Sequence, residues 1–212
     1  ATAAAGVDFI AVTLPTTPTL FAAPTGCGRA VIAACILHPD FKRAVGVEIL
    51  DGLYNLSVAI LEKWNGVMDA EPPAEGSEGA QPRRRTSIEF INGDAFGDPP
   101  MPVDDKESIA DAGDWTRGNV VLVDATCLDD ATLDLIAFRA RAMPDGAFLV
   151  TITAQLPLEF YSHLVPCEPL GLLELPMNWG TTEAFVYQRR RRGSGRTAAA
   201  AAAGTATSPG DG

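Results

Sequence analysis

Thr19-Leu20-Phe21-Ala22-Ala23-Pro24-Thr25-Gly26-Cys27-Gly28-Arg29-Ala30 passes from a strand-like apolar run, through a loop with two glycines, into a helix-like run ending at Leu37. Two glycines one residue apart leave a stretch of backbone that a ligand can approach closely. The next strand-like run, Gly46-Val47-Glu48-Ile49-Leu50-Asp51, puts Glu48 twenty residues after Gly28. Nucleotide-binding α/β sheets hold a carboxylate there to accept hydrogen bonds from ribose hydroxyls. Together the two segments point to a nucleoside-containing ligand at the carboxyl ends of a parallel sheet.

The rest of the chain extends the same alternation. Residues 19–23, 43–49, 87–92, 119–124 and 147–153 read as strands, and 27–37, 51–65 and 129–142 as helices. Between Asn119 and Asp124 the run Val120-Val121-Leu122-Val123 is continuously apolar, as buried parallel strands are. Leu53, Leu56, Ile60 and Trp64 recur at helical spacing, which predicts the buried face of the second helix, with Asp51 as its cap. Strand-like runs at about 169–175 and 182–188 have no helix between them and predict an antiparallel hairpin at one sheet edge. The predicted fold is therefore α/β, a three-layer sandwich with a mostly parallel twisted sheet. Residues 19–189 form the core, with a disordered insertion at about 69–85. Residues 1–18 show no clear element and 190–212 form a low-complexity tail.

Size and charge bound the function. A length of 212 residues suits one domain, and 47% hydrophobic content supports a core. The net charge of −11 argues against a wholly basic nucleic-acid binder, yet 7 of the 13 arginines fall in two runs, Arg83 to Arg85 and Arg189 to Arg192, which suit either local contact with phosphate or, above all for Arg83 to Arg85, a solvated charge run. Cys27, Cys35, Cys127 and Cys167 show no metal-binding spacing and read as free thiols. Asp8, Pro15 and Pro18 interrupt the one apolar stretch near the start, short of the ~20 residues a spanning helix needs. The chain opens on Ala1 without a signal-peptide pattern and is expected to be truncated.

Four segments should meet at the carboxyl ends of the first four strands: Thr25 to Gly28, Glu48, Asp94-Ala95-Phe96, and Asp124. Each suits one part of an adenosyl group. Glu48 is the candidate for the ribose, Asp94 for the adenine amino group and Phe96 for the ring face, while Asp124 lies nearest a substrate.

With these residues the chain resembles class I methyltransferases that use S-adenosylmethionine, a Rossmann-like fold. Among them it is most similar to the disruptor-of-telomeric-silencing family of histone-lysine methyltransferases. The resemblance covers about residues 19–189 and rests on Gly26-Cys27-Gly28-Arg29, Gly46-Val47-Glu48, Asn92-Gly93-Asp94-Ala95-Phe96, Val123-Asp124-Ala125-Thr126-Cys127-Leu128 and Met177-Asn178-Trp179-Gly180, followed by Phe185-Val186-Tyr187. It implies S-adenosylmethionine as cofactor, bound by Thr25, Gly26, Cys27, Gly28, Glu48, Asp94, Ala95, Phe96 and Asp124. It implies catalytic roles for Asp124 and Trp179, and an acceptor channel of Thr126, Leu128 and Trp179. The implied substrate is a lysine in the globular core of histone three, the implied partner the nucleosome, with DNA contact through Arg189, Arg190, Arg191 and Arg192, and the implied location the nucleus.

Three positions depart from that family, one of them Asp124, which stands where an asparagine is expected near the lysine channel. The family's loop begins with an acid and then a glycine, and here these are Ala22 and Pro24. Other readings stay open: a class I methyltransferase with another protein or small-molecule acceptor, or a degenerate methyltransferase-like binding domain. A dinucleotide-binding dehydrogenase wants a third glycine where Val31 stands.

Overall fold

Period-two alternation in the strands decides which face each residue occupies. The computed structural model describes residues 18–70, 85–97, 113–158, 167–177 and 180–190. Its strands are β1 (Thr19–Ala22), β2 (Arg43–Glu48), β3 (Ser87–Asn92), β4 (Val120–Asp124), β5 (Phe148–Ile152), β6 (Cys167–Met177) and β7 (Gly180–Arg189). Its α-helices are α1 (Arg29–Leu37), α2 (Asp51–Ala70) and α3 (Asp130–Arg139), with single 3-10 turns at Trp115–Arg117 and Ala140–Ala142.

One sheet runs in the order β3-β2-β1-β4-β5-β7-β6. The first five strands are parallel, and β7 pairs antiparallel to both β5 and β6. The carboxyl ends of β1 to β5 therefore share one edge with the amino end of β7. Chain order reverses on either side of β1, which opens a crevice between the loops after β1 and β4, where open α/β sheets bind ligands.

Phe21, Val45, Val47, Val121 and Val123 face α3 and the 3-10 turns, where Leu133, Ile136 and Trp115 meet them. Leu20, Ala22, Ala44 and Phe90 face the other way, against Val31, Ile32 and Cys35 of α1 and the inner side of α2. Two apolar layers on one sheet give the three-layer sandwich. Trp115 is fully buried in the first layer.

The hairpin lies where the sequence predicts it. The second helix differs in extent and facing. It continues to Ala70, so the expected insertion begins no earlier than residue 71, and residues 71–84 lie outside the described part. Leu53 and Leu56 are exposed, while Tyr54, Val58, Leu61 and Trp64 pack on the core around the buried Ser57. The Ser57 hydroxyl donates to the Tyr54 carbonyl at 2.7 Å, which satisfies it inside an apolar layer. Ile60 and Trp64 thus pack as expected, while Leu53 and Leu56 fall off the face because the small buried Ser57 marks the line of closest approach. Asp51, expected as the cap, is the first helical residue, and its Oδ1 accepts from Asn92 Nδ2 of β3. The tail from 191 onward, residues 1–17 and the helical turn expected near Ile109 also lie outside the described residues.

Candidate functional site

The glycine loop closes around Glu48. This side chain stands at the end of β2, is 2% exposed, and accepts from the Gly26 N–H at 2.8 Å and the Leu50 N–H at 2.9 Å. Both carboxylate oxygens are thus held by backbone donors, and the acid fixes the loop after β1 to the loop after β2.

Gly28 does not present its open face to a ligand. It sits at φ 77° before α1, and a Cβ there would stand 2.4 Å from Phe90 Cζ and 2.9 Å from Ser57 Cβ. Its missing side chain makes room for β3 and α2, a packing role beside the expected cofactor role. Thr25 is buried beside it, with its hydroxyl unpartnered.

A cavity of about 380 Å³ opens next to this loop, at the ends of β2, β3 and β4. Pro24, Val47, Ile49, Phe96 and Leu128 supply apolar walls. Gly93, Asp94, Ala95, Gly97 and Thr132 supply the polar side. Asp94 Oδ1 accepts from the Phe96 N–H at 2.9 Å, which curls the loop so that the carboxylate and the ring face one space. Gly97 permits this: a Cβ there would lie 2.7 Å from Asp94 Oδ2.

Of the expected cofactor residues, Asp94, Ala95 and Phe96 line the cavity. Thr25, Gly26, Cys27, Glu48 and Asp124 are not among its lining residues; the first four belong to the loop and its anchor. Leu128, expected in an acceptor channel, lines the cavity with Asp94 instead, because the turn after β4 folds back over the sheet: the Leu128 N–H donates to the Ala125 carbonyl at 3.2 Å. Sequence reasoning missed Val47, Ile49, Gly97 and Thr132 as wall residues. Ile49 was findable as the neighbour of Glu48 just past the strand end. Thr132 was not, since only the docking of α3 brings it there. Trp179 lies outside the described residues.

Beside the cavity a chain of hydroxyls crosses the strand ends. Asp124 Oδ1 accepts from Thr126 N–H at 3.2 Å and from Thr126 Oγ1 at 2.6 Å. Thr126 Oγ1 meets Thr153 Oγ1 at 3.1 Å, and Thr153 Oγ1 meets Thr182 Oγ1 at 3.2 Å. Thr153 holds φ 78°, a strained conformation for a β-branched residue. The result is an exposed polar wall headed by a carboxylate.

The buried thiols stay out of this chemistry. Burial pushes Cys35 up to about 11 against a weak opposing hydrogen bond from Thr86, and pushes Cys167 up to about 11 against the charge of Arg189. Both are protonated at neutral pH and so poor nucleophiles.

Arg189 is committed within the fold. Its Nη2 donates to the Arg141 carbonyl at 3.2 Å, and its Nη1 lies 3.5 Å from Asp145. Arg190 also has an interaction of its own, and Arg191 and Arg192 lie outside the described residues.

No family model matches this sequence, and no curated protein matches it either. Solved structures match in fold. The B. subtilis M1A22 tRNA methyltransferase aligns with TM-score 0.52 at 11% identity, over 83% of this chain and 62% of its own. The related M. capricolum structure, in complex with the cofactor product S-adenosyl-homocysteine, aligns with TM-score 0.52 at 9% identity, over 83% of this chain and 64% of its own. An rRNA methyltransferase from Streptomyces viridochromogenes aligns with TM-score 0.50 at 14% identity, over 82% and 78%. The chain thus spans less than two thirds of the length of the tRNA methyltransferases it matches. The fold is that of class I methyltransferases, Rossmann-like with an antiparallel edge hairpin. The expected nucleosome and histone partners, with DNA contact at Arg189 to Arg192, are corrected. The fold matches are to enzymes described as acting on tRNA and rRNA, and Arg189 is held by its own chain.

Proposed function

We propose that this chain is a class I methyltransferase domain that binds S-adenosylmethionine and transfers its methyl group to a polar acceptor beside Asp124. The observation that carries this reading is the cavity at the ends of β2, β3 and β4, which pairs apolar walls with one carboxylate. Purine rings bury well between aliphatic and aromatic side chains, and a carboxylate accepts from an exocyclic amino group. The fit is to the nucleoside part: Ile49, Phe96 and Leu128 would enclose the base and Asp94 would read its amino group. Glu48 would meet the ribose through lone pairs not used by Gly26 and Leu50, since each carboxylate oxygen accepts more than one bond.

When bound, the cofactor supplies a methyl group on a positively charged sulfur, which an acceptor nitrogen or oxygen displaces in line. The chain's own part is positioning rather than acid–base power. Asp124 and the hydroxyls of Thr126, Thr153 and Thr182 would orient the acceptor and take up its proton toward solvent. The fold neighbours described as tRNA and rRNA methyltransferases make RNA the first acceptor to assay. The net charge of −11 sets small polar molecules beside it.

The test is transfer of labelled methyl from S-adenosylmethionine to tRNA, rRNA fragments and small amines. Transfer that falls about 100-fold or more in Asp124→Ala, with cofactor binding retained, supports the reading. Cofactor binding with no transfer to any acceptor supports a binding domain instead. No cofactor binding removes the reading.

A further inference from the structure

Arg139, the last residue of α3, reaches behind the loop that forms the cavity's polar side. Its Nη1 donates to the Gly97 carbonyl at 3.1 Å and, more weakly, to the Ala95 carbonyl at 3.5 Å. Its Nη2 lies 3.9 Å from Asp114, and its guanidinium sits 5.6 Å from the centre of the buried Trp115 ring. Phe96 meets the same indole edge-on at 6.4 Å. One side chain therefore joins the cavity loop, an aromatic wedge and an acid.

The arrangement is directional. A guanidinium offers rigidly placed donors, and here one of its nitrogens, Nη1, donates to both carbonyls that flank Phe96, the ring of the cavity wall. A helix C-terminus favours a cation, but that alone calls for no contact with a distant loop. Nothing else among the described hydrogen bonds ties Ala95 or Gly97 to α3.

We propose that Arg139 is a positioning residue for the nucleobase cavity: by holding the Ala95 and Gly97 carbonyls it sets the distance between the Asp94 carboxylate and the Phe96 ring. The proposal rests on the reading that this cavity takes the adenine of the cofactor. Arg139 then touches no ligand and acts through the loop, so its loss should blur recognition of the base.

The test uses calorimetric titration of the full chain with adenosine, inosine and S-adenosylhomocysteine, in wild type, Arg139→Met and Arg139→Lys, with thermal unfolding recorded for each. Arg139→Met is expected to bind adenosine and S-adenosylhomocysteine about tenfold more weakly, and to lose most of the preference for adenosine over inosine. Arg139→Lys, which reaches one carbonyl, should recover part of both. A purely structural role would lower the unfolding temperature and leave the adenosine-to-inosine ratio alone. If Arg139→Met does not fold, the ratio in Arg139→Lys decides: a reduced ratio supports the proposal and a wild-type ratio overturns it. Wild-type binding with an unchanged ratio in both variants overturns the proposal and leaves the cavity reading standing. Failure of the wild type to bind adenosine or S-adenosylhomocysteine overturns both.

Discussion

Glu48 Oε2 accepts the Gly26 backbone N–H at 2.8 Å, across the gap between the loops after β1 and β2. An acid expected from sequence to face a ribose is thus also the anchor of the glycine loop. Replacing it tests both roles. Glu48→Gln offers one oxygen where two N–H groups need acceptors, so a donor is left unmet beside the Gln amide. Stability should fall by about 1–3 kcal/mol in urea unfolding, and cofactor affinity should fall with it. A fully stable Glu48→Gln would remove the anchor.

Gly97 is the residue that lets Asp94 into the cavity wall. A Cβ at 97 would push Asp94 Oδ2, a movable side-chain end, rather than backbone. Gly97→Ala should therefore weaken S-adenosylhomocysteine binding severalfold while changing the unfolding free energy by no more than about 0.5 kcal/mol. Loss of stability without loss of affinity would place Gly97 outside the site.

Gly28 gives the opposite result. An alanine there meets Phe90 and Ser57 and must hold φ 77°. Overpacking and left-handed backbone together should cost about 2 kcal/mol or more. Denaturant unfolding of Gly28→Ala checks this, and a near-neutral change would contradict the packing role.

Cysteine titration supplies a pH prediction. Cys35 and Cys167 ionise near 11 in the fold, against an ordinary 9.0. Above pH 9.0 the unfolded chain gives up these protons first and so binds fewer than the native state, which lowers stability as pH rises. The contribution is intact below 9.0 and is lost on the way to about 11. Urea midpoints should drop between about pH 9 and about pH 11, and drop less in Cys35→Ala. At neutral pH the exposed Cys127 should alkylate before the buried Cys35 and the half-buried Cys167.

The sheet was legible because its strands are written as short continuous or alternating apolar runs, each ending in a polar residue such as Glu48 or Asp124. Those ends locate the site, which is why Asp94, Ala95 and Phe96 were found. What faces a glycine's missing Cβ is not written locally, so the packing of Gly28 against Phe90, some sixty residues on, was not legible. Arg139 and Thr132 were invisible for the same reason: their roles exist only once α3 docks. The face of α2 was read correctly at Ile60 and Trp64 but not at Leu53 and Leu56, because burial of Ser57 turns the helix away from the leucines. The histone acceptor came from the resemblance alone, and the fold matches to enzymes described as acting on tRNA and rRNA do not back it.

The central claim is that a nucleoside sits between Asp94, Phe96 and Leu128. Calorimetric titration with S-adenosylhomocysteine of the wild type and of Asp94→Asn, which keeps the acceptor for Phe96 but sets an amide donor toward the base, tests it most directly. The account predicts saturable one-to-one binding by the wild type, weakened about tenfold or more in the variant. No binding, or equal affinity in both proteins, contradicts it.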